Sequence, residues 1–151
     1  MASKREPDQT ADRHGDELVV EWVALETFKS RFVTNPQRAW LFEGLVRACI
    51  ELRRHGCRAI YVGGSFVDRK EFPNDYDACF DTVGVSPTLD QCLFDSSLEM
   101  ERRKKYRGDW LFGRPDAGPA GEWLRFLSRD RSGKARSLIG LKLNLKELNE
   151  Q

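Results

Sequence analysis

One short segment of the chain combines the residue types that phosphate chemistry requires. Gly63, Gly64 and Ser65 end an apolar run, and Asp75 and Asp77 follow after a spacer. Glycines permit a tight turn, and the backbone amides of such a turn can hold phosphate oxygens. In a strand, residues i and i+2 share one face, so the two carboxylates should project together. The segment therefore predicts a metal-dependent phosphate site.

A carboxylate pair of this kind suits two Mg²⁺ ions, with Mn²⁺ as a substitute. Two-metal sites hold their ions about 3.5 to 4 Å apart, and the carboxylates neutralise charge that would otherwise repel a triphosphate. Side chains of Asp75 and Asp77 that point apart, or that an arginine holds permanently, would contradict this prediction. The residues alone leave two alternatives, an Asx turn after Asn74 for Asp75 and an exposed strand position for Asp77.

The Gly-Ser turn, the spacer and the Asp-x-Asp pair resemble the start of the active site in the nucleotidyltransferase superfamily typified by DNA polymerase beta. More narrowly, the chain from Trp22 to about Phe80 is similar to a small bacterial family of uncharacterised nucleotidyltransferase-like proteins. The similarity lies in Gly56-Cys57, Gly64-Ser65-Phe66-Val67 and Pro73-Asn74-Asp75-Tyr76-Asp77. The resemblance implies that the protein moves a nucleoside monophosphate from a nucleoside triphosphate (NTP) to a hydroxyl of a protein or RNA.

The resemblance also implies a role for three carboxylates. Asp75 and Asp77 would hold the metal ions, and the superfamily commonly supplies a third carboxylate from a later strand. Asp109, at the start of the apolar run Asp109-Trp110-Leu111-Phe112, fits that role and would also ligate a metal. Its position beside Gly108 leaves a second interpretation open, in which Asp109 stabilises a turn.

The remaining site residues would bind the triphosphate. The amide of Gly64 and the hydroxyl of Ser65 would position the β and γ phosphates, and Gly63 would shape the turn. Lys70, or its neighbour Arg69, would add positive charge. One feature departs from the resemblance, because Phe66 follows Ser65 where many relatives carry a basic residue.

Two further functions remain open from the sequence. The small size and the missing basic residue favour a catalytically weak or inactive partner protein of a toxin–antitoxin or phage-defence system. A basic run, Arg102-Arg103-Lys104-Lys105, could contact a nucleic-acid backbone, although consecutive charges on a helix usually form a solvated face. An oligomer or a partner protein is compatible with either function.

Composition limits the other possibilities. The 151 residues carry 25 basic and 24 acidic side chains, so the overall charge does not favour a polyanion partner. Residues 1–17 are polar and predict a disordered tail, and residues 18–151 predict a single domain. No apolar run is long enough to span a membrane or to form a secretory signal, which predicts a cytoplasmic protein. The four cysteines lack metal-ligand spacing and are expected to be reduced.

The patterns around the site predict an α/β fold, a small mixed sheet with helices packed mainly on one face. Helices are expected at Trp22 to Phe32, from Pro36 to Gly56 with Asn35 as cap, at a capped start on Ser86-Pro87, and at Leu98 to Tyr106. Strands are expected at 59–62, 75–80, 109–112 and 139–145, the last with one buried face. Residues 115–121 predict a loop, either an ordinary connection or one that closes over the site, and helical spacing resumes from Trp123 to Leu127.

Overall fold

A mixed β-sheet forms the centre of the computed structural model, which describes residues 19–68, 70–113, 127–129, 132–134 and 136–151. Its strands are β1 (Val20–Trp22), β2 (Ala59–Gly63), β3 (Tyr76–Asp81), β4 (Gly108–Gly113) and β5 (Leu138–Lys142). The helices are α1 (Leu25–Phe32), α2 (Pro36–Arg54), α3 (Glu99–Tyr106) and α4 (Leu145–Asn149). Short 3-10 turns cover Gly64–Val67, Gln91–Leu93 and Ser96–Leu98.

The strands lie in the order β1-β5-β2-β3-β4. The two outer pairs, β1 with β5 and β3 with β4, are parallel, whereas β2 is antiparallel to both of its neighbours. This arrangement confirms the predicted α/β class with a mixed sheet. Its assignment to the nucleotidyltransferase fold stays a prediction.

The buried side chains of the four helices pack against one face of the sheet, called the helix face below. Strand residues of that face share one hydrophobic cluster with residues from α1 to α4, for example Phe28, Leu45, Tyr106 and Leu148. The opposite face has a smaller cluster formed by Tyr61, Cys79, Leu127 and Leu138. The four helices α1 to α4 therefore lie on one face, as expected from the prediction of helices packed mainly on one face.

Helix α2 forms where the sequence predicts it, and its ends explain why. The Asn35 side chain accepts a hydrogen bond from the backbone amide of Arg38, and Pro36 occupies the first turn. The helix ends at Arg54, and Gly56 then adopts a φ of +97° that allows the chain to turn into β2. All four cysteines are free thiols, as expected.

Tyr76 of β3 connects the sheet to α3. Its buried hydroxyl donates a hydrogen bond to the carbonyl of Tyr106, 2.6 Å away, and accepts one from the Trp110 indole at 3.0 Å. A Cβ atom on Gly108 would lie 2.4 Å from the Tyr76 ring, so only a glycine fits where α3 leads into β4. The end of α3 is therefore fixed against the acidic strand.

Several predicted elements differ from the structure. Trp22 belongs to strand β1, because β5 offers β1 a parallel partner and the missing side chain of Gly140 makes room for the Trp22 ring. Ser86-Pro87 begins no α-helix, since the Ser86 hydroxyl bonds to Thr88 and only 3-10 turns follow. The last strand ends at Lys142 and is buried on both faces, whereas Leu145 starts α4.

Some expectations concern residues outside the described ranges. They include the tail over residues 1–17, Arg69, the loop 115–121 and all but the last residue of the helical spacing from Trp123 to Leu127. The described helices include none with both the length and the apolar character needed to cross a bilayer.

Candidate functional site

The structure brings the three predicted carboxylates to one end of the sheet. Asp77 and Asp109 are register partners in the parallel pair of β3 and β4, and Asp75 lies one residue before β3 rather than within it. Tyr76 and Ala78 pack into the helix-face cluster, so alternation along the strand directs Asp77 to the opposite face. Local strand geometry thus accounts for the grouping of these acids.

The glycine turn meets the acidic strand directly. Gly63 is the register partner of Asp77, and Gly64 has a φ of +70°, a left-handed conformation that favours glycine. A Cβ atom on Gly64 would lie 2.4 Å from Oδ2 of Asp77, so the carboxylate occupies the space that any other side chain would need. Ser65 follows in the 3-10 turn. The predicted turn residues and acidic residues are therefore neighbours.

The carboxylates repel one another. Burial raises the pKa of Asp77 to about 6, and the negative charges of Asp75 and Asp109 add to the shift. Burial also raises the pKa of Asp109, although the positive charge of Arg103 opposes that change. Burial and mutual repulsion thus both disfavour the ionised form of these acids, and a cation bound among them would stabilise that form.

Arg103 of α3 is the cation that the structure places between two of these acids. Its guanidinium donates to Oδ2 of Asp75 at 2.9 Å and to Oδ2 of Asp109 at 2.6 Å, and it also contacts Glu99. In this arrangement the described residues contain no group of three or more His, Cys, Asp or Glu side chains that could hold a metal ion. A metal ion bound by both Asp75 and Asp109 would have to replace the Arg103 guanidinium that now contacts both.

The rest of the basic run is mostly engaged within the protein. Arg102 is buried and donates to two backbone carbonyls of the 92–95 segment, and Lys105 pairs with Asp90 at 2.5 Å. Of the four cations, Lys104 alone has no partner among the described residues. Because paired cations offer little charge to a phosphate backbone, this geometry does not favour nucleic-acid binding by α3.

Arg38 is a residue that the sequence analysis missed. It lies at the start of α2, is almost fully buried, and has its guanidinium 4.9 Å from the centre of the Phe66 ring. It donates hydrogen bonds to the backbone carbonyls of Phe32, Ser65, Phe66, Asp68 and Lys70. These bonds hold the segment after the glycine turn. No local pattern distinguishes this arginine from a solvated one in the first turn of a helix.

Lys70 is not brought into a common cleft with the carboxylates. It lines an open cleft of about 640 Å³ together with Arg31, Arg38 and Glu71, and the described lining of that cleft includes none of the three site acids. Arg136, which precedes β5, reaches the glycine turn instead, with Nη1 at 3.1 Å from the carbonyl oxygen of Gly64. No pattern in the sequence indicates this contact, because the two residues are 72 positions apart.

Comparison with known proteins places the chain in a family. Residues 17–142 match the profile of a family described as a family of unknown function (DUF6932). The matched range includes the glycine turn, all three carboxylates, Arg103 and Arg136. No curated protein and no solved structure matches the chain.

Proposed function

The chain belongs to this family of unknown function, and we propose that it is a metal-dependent nucleotidyltransferase. It would move a nucleoside monophosphate from an NTP to a hydroxyl of a protein or RNA. The observation that carries the proposal is the contact between the left-handed Gly64 and the half-buried carboxylate of Asp77, because it joins a turn suited to phosphate to a carboxylate suited to a cation.

The donor set fits magnesium. Mg²⁺ prefers oxygen ligands, and in phosphoryl-transfer sites it is usually bound through one or two carboxylates and the substrate phosphates. Asp77 and Asp109 supply such oxygens from adjacent strands, and Asp75 supplies them from just before β3. Burial raises the pKa of Asp77, and the negative charges of Asp75 and Asp109, which a divalent ion would offset, add to the shift. The guanidinium of Arg103 already occupies a cation position between two of these acids. Bound Mg²⁺ would neutralise the triphosphate and orient it for attack.

The protein's own groups would then orient the reactants. The amide of Gly64 and the hydroxyl of Ser65 would hold phosphate oxygens at the turn. Asp109 would orient the acceptor hydroxyl and accept its proton. The hydroxyl oxygen forms a bond to the α-phosphorus, the bond between that phosphorus and the β-phosphate oxygen breaks, and pyrophosphate leaves with the bonding electrons.

Arg103 can leave the acids without a change of fold. Its side chain is 43% exposed, and it lies in the last turn of α3 at the protein surface. Exposed ion pairs contribute only about 0 to 1 kcal/mol each, because water screens them. A divalent ion arriving with a triphosphate could therefore displace the guanidinium from Asp75 and Asp109.

The test is nucleotide transfer in vitro. Purified protein would be incubated with Mg²⁺, each labelled NTP in turn and cell extract, and labelled protein and RNA would be separated. We expect label with the wild type, none with Asp77→Asn, and wild-type labelling with Asp81→Asn. Asp81 is the matched control, because it lies on β3 four residues beyond Asp77 and its carboxylate accepts a hydrogen bond from the backbone amide of Val83. Absence of any Asp77-dependent label would overturn the proposal.

The bridge formed by Arg103 favours a second candidate, an inactive nucleotidyltransferase-like partner protein. If the arginine stays between Asp75 and Asp109, the site cannot load metal and the acids serve to hold α3. Calorimetric titration of wild type with Mg²⁺ and each NTP distinguishes the two functions. Metal-dependent NTP binding supports the enzyme, whereas no binding to the wild type together with clear binding to Arg103→Ala supports the inactive partner.

A further inference from the structure

The glycine turn brings no cationic side chain of its own to a phosphate. Phe66 follows Ser65, and its side chain is completely buried, where it packs against Phe28 and Tyr76. Triphosphate sites need positive charge beside the turn, because backbone amides offset only part of the phosphate charge. A cation must therefore come from another part of the chain.

Arg136 is anchored where it can supply that charge. Its backbone amide donates to the carbonyl of Ser128 at 2.6 Å, which fixes the residue just before β5. From there the side chain reaches across the sheet end, and Nη1 lies 3.1 Å from the Gly64 carbonyl oxygen and 3.1 Å from Oδ2 of Asp68. The side chain keeps 20% of its surface exposed, so solvent and a ligand can reach it.

The guanidinium has donors to spare. Arginine carries five N–H groups in a planar fork, and the contacts with Gly64 and Asp68 engage Nη1 only. Among the described residues, Nε and Nη2 donate to no acceptor. By contrast, Arg103 is shared by three carboxylates and Arg38 by five carbonyls. Counting only contacts between described residues, Arg136 is thus the arginine at the turn with unused donors, and the half-exposed Asp68 is its one carboxylate partner.

Gly64 lies between Arg136 and Asp77. Its carbonyl oxygen contacts Arg136, and its Cα faces the carboxylate of Asp77. A phosphate seated on the amides that follow Gly63 would therefore have a guanidinium on one side and the acids on the other. Guanidinium groups bind phosphate oxygens through two parallel hydrogen bonds, which a lysine cannot reproduce.

We propose that Arg136 binds the terminal phosphates of the nucleotide and makes the site selective for nucleoside di- and triphosphates over monophosphates. This inference rests on the proposed function, since it assumes that the glycine turn holds a nucleotide. Asp68 is the resident anion that the incoming phosphate replaces on the guanidinium. The missing basic residue after Ser65 is thereby compensated from a distant part of the chain.

The test measures nucleotide affinity in the full chain by calorimetry with ATP, ADP and AMP in the presence of Mg²⁺. Arg136→Gln should weaken ATP binding about tenfold or more, the size expected for losing charge-assisted hydrogen bonds, and leave AMP binding unchanged. Arg136→Lys should lie between wild type and Arg136→Gln for ATP. Asp68→Asn should strengthen ATP binding about threefold, because it frees the guanidinium from a surface ion pair. A purely structural role would not produce that gain.

Arg31→Gln is the matched control, since Arg31 pairs with Glu21 at the surface and lies at a neighbouring cleft. Mn²⁺ binding in the absence of nucleotide should be the same in all variants. Equal ATP affinity of wild type, Arg136→Gln and Arg136→Lys would overturn this inference alone. Failure of the wild type to bind any of the nucleotides would overturn the proposed function and this inference with it. If Arg136→Gln does not fold, the Arg136→Lys and Asp68→Asn results decide.

Discussion

Gly64 lies against Asp77, so closely that a Cβ atom on the glycine would stand 2.4 Å from Oδ2 of the aspartate. This contact joins two parts of the chain that the antiparallel pairing of β2 and β3 brings into register. The site therefore depends on the absence of a side chain at one position as much as on the presence of carboxylates at others.

Gly64→Ala should damage both stability and nucleotide binding. The φ of +70° strains any L-residue, which costs about 1 kcal/mol or more, and the clash with Asp77 should bring the total to about 2 to 4 kcal/mol. Urea unfolding measures the cost. Gly133→Ala is the control, because Gly133 has a φ of +85° but no atom of the described residues within 4 Å of its missing Cβ atom. Equal losses of stability in Gly64→Ala and Gly133→Ala would contradict the close contact between Gly64 and Asp77.

Asp77→Asn should stabilise the metal-free protein at neutral pH. Folding raises the pKa of Asp77 from its ordinary 3.8 to about 6, so the folded state binds the proton more tightly. The resulting stability is complete below pH 3.8 and is lost as pH rises through about 6. At pH 8 the variant should therefore be more stable than the wild type by about 1 to 2 kcal/mol, a figure reduced because solvent partly screens the carboxylate.

Urea unfolding in EDTA at pH 5 and pH 8 measures this effect. The advantage of Asp77→Asn over wild type should be smaller at pH 5, where the wild-type carboxyl is largely protonated. Asp81→Asn should show no comparable change between the two pH values. An advantage of the same size at both would mean that Asp77 ionises normally in the folded protein.

Arg103→Ala should raise metal affinity and lower the stability of the metal-free protein. Its guanidinium pairs with Asp75 and Asp109, so its loss removes the cation between them and leaves Asp109 only the more distant Arg102, at 3.9 Å. We expect about 1 kcal/mol of destabilisation in EDTA, because the arginine is partly exposed, and recovery on addition of Mg²⁺. Thermal unfolding with and without Mg²⁺ measures both effects.

Lys104→Ala is the control for that experiment, since Lys104 is the adjacent exposed cation. Its unfolding should not change with EDTA beyond the change seen in the wild type. If Arg103→Ala gains no stabilisation from Mg²⁺, the carboxylates do not form a metal site, and the arginine has a structural role only.

Arg38→Met should destabilise the protein by about 2 to 4 kcal/mol, because several buried carbonyls lose their donor at once. The loss should be concentrated in the segment after the glycine turn, whose carbonyls Arg38 binds. Hydrogen exchange of amides in residues 65–70 should accelerate more than exchange in β5. Arg54→Met, at the exposed end of the same helix, should change neither the free energy of unfolding nor the hydrogen exchange of residues 65–70. Uniform acceleration across the protein would show a general loss of stability instead.

The sequence predicted those features that depend on nearby residues. The cap at Asn35 and the helix behind it follow from local hydrogen bonding, and the strand pattern places Asp77 beside the glycine turn. The helix predicted from Trp22 was wrong at its start, since the spacing of Trp22 to Leu25 fits a helix, whereas the sheet partner of Trp22 is Gly140, far along the chain. A spacing of three and four residues reports only on local structure, so it cannot reveal pairing with a parallel strand more than a hundred residues later in the sequence.

The arginines of the site could not be predicted for the same reason. Arg38, Arg103 and Arg136 contact the turn or the acids through side chains that cross between elements. Their neighbours in sequence give each of them the appearance of a surface charge. Only tertiary packing determines which cation reaches which anion.

The hydrogen bond from Tyr76 to the Tyr106 carbonyl has a consequence for how quickly the site could exchange its cation. Tyr76 lies between Asp75 and Asp77 in sequence, and Tyr106 lies three residues after Arg103. The hydrogen bond therefore joins β3 to the end of α3 next to the acids and the arginine. This bond restrains movement of the α3 backbone that carries Arg103 away from the acids. Departure of the arginine from the acids would therefore involve bond rotations in its own side chain, and such rotations in exposed residues take about picoseconds to nanoseconds.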